Sequence, residues 1–163
     1  MFHTRTAQPA DAAYLHELSA RVQDALTRSG SLQAFGPIPM PTVEAMVQQG
    51  YAHLALVDGE RVGGVFLQPL PPELAAEWGI PSDGQWFLSK LMIDPARRGS
   101  GYGAALVRVL QTQQRPIVLD CWAGNVKLRQ LYEGLDFGLW GVFAEGDYQI
   151  AVYRWSPTGV VFR

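Results

Sequence analysis

The sequence predicts an α/β fold, an α+β arrangement on a mixed sheet, and three observations carry that reading. Two strand-like runs at 51–57 and 61–67 are joined by Asp58-Gly59, a dipeptide suited to the positive φ of a tight hairpin turn. Two strand–helix units follow, 86–114 and 117–135. The tail alternates as two more strands, 137–144 and 148–155.

The remaining elements fall into place around these. A strand at 2–7 precedes a helix at 9–27, which Pro9 and Asp11 announce. Leu15, Leu18, Val22 and Leu26 recur along it at three- and four-residue steps, the spacing of one helical face. Gly and Pro punctuate 29–41 as a loop, and Thr42 caps a short helix running through Gln49. Residues 69–85 read as a long irregular connection with room for one helical turn, and such a loop is more often functional than idle. The strand 86–93 stops at Asp94-Pro95. Leu106, Val109 and Leu110 share a face of the helix after it, 117–121 is an apolar strand, and Asn125 opens a helix presenting Leu128, Leu131, Tyr132 and Leu135. There is no repeat and no linker, so residues 1–163 are expected to form a single domain.

Composition narrows the function classes. A hydrophobic fraction of 48% is that of a packed protein and excludes low-complexity disorder. Thirteen basic against 15 acidic side chains leave a net charge of −2, which argues against a nucleic-acid partner. No stretch has the apolar length of a membrane span, and the start lacks the layout of a signal peptide. The lone Cys121 forbids an intramolecular disulfide and fits a reducing, cytoplasmic setting. A monomer or a homodimer both suit such a chain. His3, His16 and His53 stand singly, without the spacing of a metal site.

The chemistry concentrates in Ile93-Asp-Pro-Ala-Arg-Arg-Gly-Ser-Gly-Tyr-Gly-Ala104. A strand ends, an arginine-bearing turn intervenes, and glycines at alternate positions open a helix. Glycine lets backbone approach a ligand closely, and the free N–H groups of a helix start attract phosphate oxygens. Arg97 and Arg98 add counter-charge. The Walker pattern is absent. A dinucleotide fingerprint fits Gly99 to Ala104 with Asp120 beyond it, but five residues separate strand from glycine, and too little chain follows for a dinucleotide domain.

Arg98-Gly99-Ser100-Gly101-Tyr102-Gly103 resembles the coenzyme A-binding motif of the GNAT superfamily of N-acetyltransferases. The resemblance implies that acetyl-CoA lays its pyrophosphate over Arg98 to Ala104, and its pantetheine arm along Leu91, Met92 and Ile93. A second block agrees: Asn125, Leu131-Tyr132 and Phe137 resemble the family's Asn…Leu-Tyr-x-x-x-Gly-Phe signature, with Asp136 where glycine is usual. The resemblance covers 86–137. It implies a mostly antiparallel central sheet with one splayed parallel strand pair and helices on both faces.

By the same resemblance Tyr132 is the general acid that protonates the departing thiolate, and Asn125 contacts the coenzyme besides capping its helix. Without the resemblance, Tyr132 would simply complete an apolar helix face. The stretch from Trp86 to Lys90 carries no carboxylate or histidine, so the general base stays open among Asp120, Glu73, Glu77 and water. Cys121, in an apolar strand without a neighbouring histidine, reads as a small buried hydrophobe. The expected activity is transfer of acetyl to a primary amine of a small molecule or amino-acid derivative. The acceptor walls are expected from 29–41 and 69–85, with Phe35, Ile38, Met40, Leu70, Leu74 and Trp78. The alternatives are a non-catalytic coenzyme A-binding module and a dinucleotide enzyme.

Overall fold

Apolar spacing in the first helix decides where the first core lies. In the computed structural model, which describes residues 1–158, strand β1 (Phe2–Thr6) leads through a 3-10 turn at Pro9–Asp11 into helix α1 (Ala12–Arg28). Then come α2 (Met40–Gln48), β2 (Ala52–Val57), β3 (Glu60–Pro69), α3 (Pro72–Trp78), β4 (Trp86–Ile93) and α4 (Tyr102–Gln111). Strand β5 (Ile117–Trp122), helix α5 (Val126–Gly134) and strands β6 (Gly138–Glu145) and β7 (Tyr148–Trp155) complete the described chain. The strands order as β1-β2-β3-β4-β5-β7-β6. β1–β2, β2–β3, β5–β7 and β6–β7 are antiparallel, whereas β4 and β5 run parallel, as the two strand–helix units require.

The chain divides into two compact units, with β4 and α4 each contributing to both. In the first unit (1–30, 34–67 and 89–106), Leu15 and Leu18 of α1 pack with Val43 of α2, Leu54 of β2, Phe66 of β3 and Met92 of β4. Beside this core Asp11 is almost fully buried, and its carboxylate is held by Arg5 (2.7 and 3.2 Å), Arg61 (3.2 Å) and the Gln8 amide (2.7 Å). The Arg5 hydrogen bond, with lesser help from the others, holds the Asp11 carboxyl below the usual aspartate range.

In the second unit (31–33, 68–88 and from 107 onward), Leu70, Ala75 and Trp78 pack on Phe87, Val118, Ile150 and Val152. The parallel β4–β5 pairing lies here and covers Trp86↔Ile117 and Phe87↔Val118.

Most boundaries fall where the sequence places them. Asp58 and Gly59 take φ of 51° and 83°, both left-handed, as a two-residue hairpin turn demands. Two expectations need correction. The short second helix begins at Met40, not after Thr42, because Pro39 stands at its cap and its carbonyl accepts from the Thr42 amide at 2.9 Å. The 69–85 connection holds two helical turns, not one: Pro72 sits in the first turn, where a missing N–H costs nothing, and left-handed Gly79 (φ 67°) ends it.

Candidate active site

The glycine segment lies in the first unit. Asp94 caps the 3-10 turn Pro95–Arg97 by accepting from the Ala96 amide at 3.0 Å. Gly99 and Gly101 then adopt φ of 79° and 77°. L-residues with a Cβ are disfavoured in that region, so both positions favour glycine. The first α4 hydrogen bond runs from Ala105 to the Gly101 carbonyl at 3.1 Å, which leaves the amides of Tyr102, Gly103 and Ala104 without an intrahelical acceptor. Gly99, Ser100 and Gly101 are exposed. Left-handed glycines just before a helix start are the kind of backbone arrangement whose free amides take phosphate oxygens. The arginine pair divides its duties: Arg97 reaches Glu60 at 2.6 Å, which leaves Arg98 as the local counter-charge. The Tyr102 ring stacks on Phe2 with centroids 5.8 Å apart, so its share in the cradle falls to its backbone.

Met92 is fully buried, while Leu91 and Ile93 are half-buried, which leaves backbone as the polar surface this end of β4 can offer. Gly63 of β3 fits tightly beneath it: a Cβ there would lie 2.3 Å from the Met92 carbonyl oxygen. Lys90 is a feature that sequence reasoning missed. It sits in mid-strand with φ 55°, its ammonium donates to the Phe35 carbonyl, and it lies 4.7 Å from the Phe35 ring centroid. A left-handed lysine inside a strand costs roughly 1–3 kcal/mol. No glycine, proline or turn dipeptide marks the place.

Asn125, Tyr132, Asp120 and Cys121 lie together in the second unit. Asn125 caps α5 as expected, accepting from the Leu128 amide at 3.1 Å. At the other end of α5 the Phe137 amide donates to the Tyr132 carbonyl (3.0 Å) and the Asp136 amide to the Glu133 carbonyl (3.2 Å). These two bonds form a Schellman motif. Asp136 takes its left-handed position with φ 72°, where the signature it resembles has glycine. The ring centroids of Phe137 and Tyr132 are 5.8 Å apart, supplying the apolar contact that accompanies the motif. Tyr132 is 3% exposed. Burial, reinforced by Cys121 and Asp120, pushes its hydroxyl well above the ordinary tyrosine range, so it holds its proton.

A second tyrosine supports it. The Tyr153 hydroxyl of β7 donates to Glu133 (2.8 Å) and accepts from Arg129 Nε (2.9 Å), while Arg129 Nη1 donates to the Ala123 carbonyl (3.0 Å). The Tyr153 ring lies 6.2 Å from that of Tyr132. This network anchors α5 to β7 through residues 20 and 24 positions apart, and nothing in the local sequence announces it. Gln33, from the first long loop, accepts from the Trp122 amide at 3.0 Å. Cys121 is buried and its thiol is pushed up to about 12, mainly by burial, the reverse of what a nucleophilic thiolate needs. Asp120 is half-buried on β5; Glu73 and Glu77 are exposed on α3. Of the expected acceptor-wall groups, Ile38, Leu70 and Trp78 are core residues, whereas Phe35, Met40 and Leu74 keep partial exposure.

Comparison with known proteins gives this geometry its context. The sequence pattern of the acetyltransferase (GNAT) family matches residues 20–137. The chain belongs to that family. No curated protein matches the sequence itself. A GNAT-family acetyltransferase from Streptococcus agalactiae 2603 shares 15% identity, with 95% of each chain covered and a TM-score of 0.80. Another from Listeria monocytogenes shares 20% identity over 95% of this chain and 94% of that one, with a TM-score of 0.76. The yncA protein of Salmonella typhimurium, solved with its cofactor acetyl-CoA, shares 15% identity over 96% and 94%, with a TM-score of 0.71. At these identities the three structures show the fold.

Acetyl-CoA is the acetyl donor of the family, and this acetyltransferase has residues that fit it. The exposed left-handed glycines Gly99 and Gly101, beside Arg98 and a helix start, suit a pyrophosphate, and the backbone of Leu91 to Ile93 suits an amide-bearing arm. Among the described residues no helix is long and apolar enough to cross a membrane, and no group of three or more His, Cys, Asp or Glu could hold a metal ion.

Proposed function

We propose that this acetyltransferase moves acetyl from acetyl-CoA to a primary amine of a small molecule or amino-acid derivative, by direct attack in a ternary complex. Tyr132 carries the reading, because it stands in the Leu131-Tyr132 signature, keeps its proton, and is fixed at both backbone and ring by the turn that ends α5. When bound, acetyl-CoA offers its thioester carbonyl to the amine nitrogen; the C–N bond forms as the C–S bond breaks. Tyr132 holds the proton that the departing sulfur takes, and recovers it from the amine through solvent. The amides around Gly99 and Gly101 orient the pyrophosphate, and Leu91, Met92 and Ile93 align the arm. Asn125 holds the start of α5, and with it the register of Tyr132.

The composition of 29–41 and 69–85, rich in proline and apolar groups, with Glu73 and Glu77 as the charges of α3, suits a small amine with an apolar part. A polycationic peptide would want a broad acidic surface. A cytoplasmic setting belongs to the same proposal.

The test is Tyr132→Phe. Turnover is expected to fall by about 10²–10⁴, the yield of general acid catalysis, while coenzyme affinity changes far less than turnover. Unchanged turnover would remove Tyr132 from the mechanism. Thiol release from acetyl-CoA across a panel of amines addresses the acceptor. Activity on lysine-rich peptides alone would defeat the small-amine reading, and silence on every amine with the coenzyme still bound would leave a binding module.

A further inference from the structure

Resting on the reading that the 99–104 loop holds the coenzyme pyrophosphate, we propose that Arg28 joins Arg98, at the edge of that cradle, in an adjoining subsite for a phosphate monoester, the 3′-phosphate of coenzyme A. A pocket of about 380 Å³ in the first unit is lined by Ala25, Arg28, Ser29, Pro95 and Arg98. Its two charged groups are both guanidiniums, and no carboxylate lines it. The neighbouring arginines are already engaged, Arg21 with Asp94 at 3.1 Å and Arg97 with Glu60 at 2.6 Å. Arg28 and Arg98 form no such pair among the described residues. The Ser29 hydroxyl is committed to the Leu26 carbonyl at 2.8 Å, so an anion here meets two cations and apolar walls.

Ligand chemistry decides which anion. Arg98 directly precedes Gly99, the first residue of the loop whose amides would take the pyrophosphate. In coenzyme A the pyrophosphate and the 3′-monoester hang from one ribose, so placing the first on these amides carries the second to within one side chain's reach. The monoester is dianionic near neutrality, and a guanidinium fork binds its oxygens in pairs. Arg28, from the last turn of α1, then gives the first helix a part in holding the coenzyme.

The experiment is calorimetry with coenzyme A and 3′-dephospho-coenzyme A on the wild type and on Arg28→Gln, a change at an exposed helix end that leaves the core intact. The wild type is expected to favour coenzyme A by about tenfold or more, the worth of a hydrogen-bonded charge pair. Arg28→Gln is expected to erase that preference while leaving the affinity for the dephospho ligand unchanged. Equal binding of both ligands by the wild type would overturn the subsite and leave the cofactor reading standing. So would a variant that weakens both ligands alike, or that keeps the full preference, as expected if Arg28 serves only the helix dipole. Binding of neither ligand by the wild type would overturn the cofactor reading and the subsite together.

Discussion

Replacing Gly63 by alanine tests whether the backbone of β4 is held at a fixed distance from β3. The added Cβ would meet the Met92 carbonyl oxygen at 2.3 Å, Ile93 Cδ1 at 2.8 Å and Ile93 Cα at 3.3 Å. An ordinary contact is about 3.5 Å or more, so the strands must part by about an ångström, and two of the three obstacles are backbone. Overpacking of this kind costs roughly 1–3 kcal/mol. At about 2.1 cal/mol/K per residue, the unfolding entropy of 163 residues is about 0.34 kcal/mol/K, and Tm is expected to fall by about 3–9 °C. The displaced carbonyl belongs to the segment proposed to align the pantetheine arm. An ångström of misplacement can cost up to about a hundredfold in rate, so kcat/KM is expected to fall by more than the loss of folded protein explains. The assay pairs calorimetric melting with thiol release at a temperature where the variant is folded. Gly138→Ala is the control, since a Cβ there meets nothing within 4 Å and its φ is not left-handed. A Gly63→Ala protein with wild-type Tm and wild-type kcat/KM would refute the reasoning.

Three further outcomes are expected. Asp11 has its folded pKa held down, so its contribution is complete above the unfolded value near 3.9 and is lost as pH falls through the folded one. Asp11→Asn should lower Tm at pH 7, by an amount corresponding to roughly 1–3 kcal/mol, with the gap to wild type closing below about pH 4 in melts across pH. Cys121, buried with its thiol near 12, should ignore an aromatic disulfide reagent in the native protein and react at once in denaturant; rapid native labelling would contradict its placement. Asp136→Gly removes a side chain from a left-handed site with no cost in contacts, and should raise Tm by about 1–3 °C as measured by calorimetry.

Local chemistry explains what could be read in advance. The Asp58-Gly59 turn, the Asn125 cap and the Gly99–Gly101 cradle each depend on a few consecutive residues whose dihedral or hydrogen-bonding preference settles the matter. The parallel β4–β5 pair follows from two strand–helix units in succession. The full length of helix α3 was hidden because paired prolines are also loop residues, and only the occupied turns after them tell the two apart. Lys90, Arg129, Glu133 and Tyr153 were hidden for another reason. Their geometry depends on partners far along the chain, and a left-handed lysine or a buried tyrosine hydroxyl has no signature until those partners are present.

The Schellman turn after α5 makes one event of two. The amide that terminates the helix at Phe137 is bonded to the carbonyl of Tyr132, and the ring of Phe137 meets the ring of Tyr132. Fraying of the last helical turn therefore frees the proposed acid at the same moment, in the same opening. Such local openings draw on less free energy than global unfolding and occur far more often. The fraction of molecules competent to turn over would then be governed by this small equilibrium, so activity on warming should decline ahead of the main melt. Exchange of the Phe137 amide would count the competent population directly.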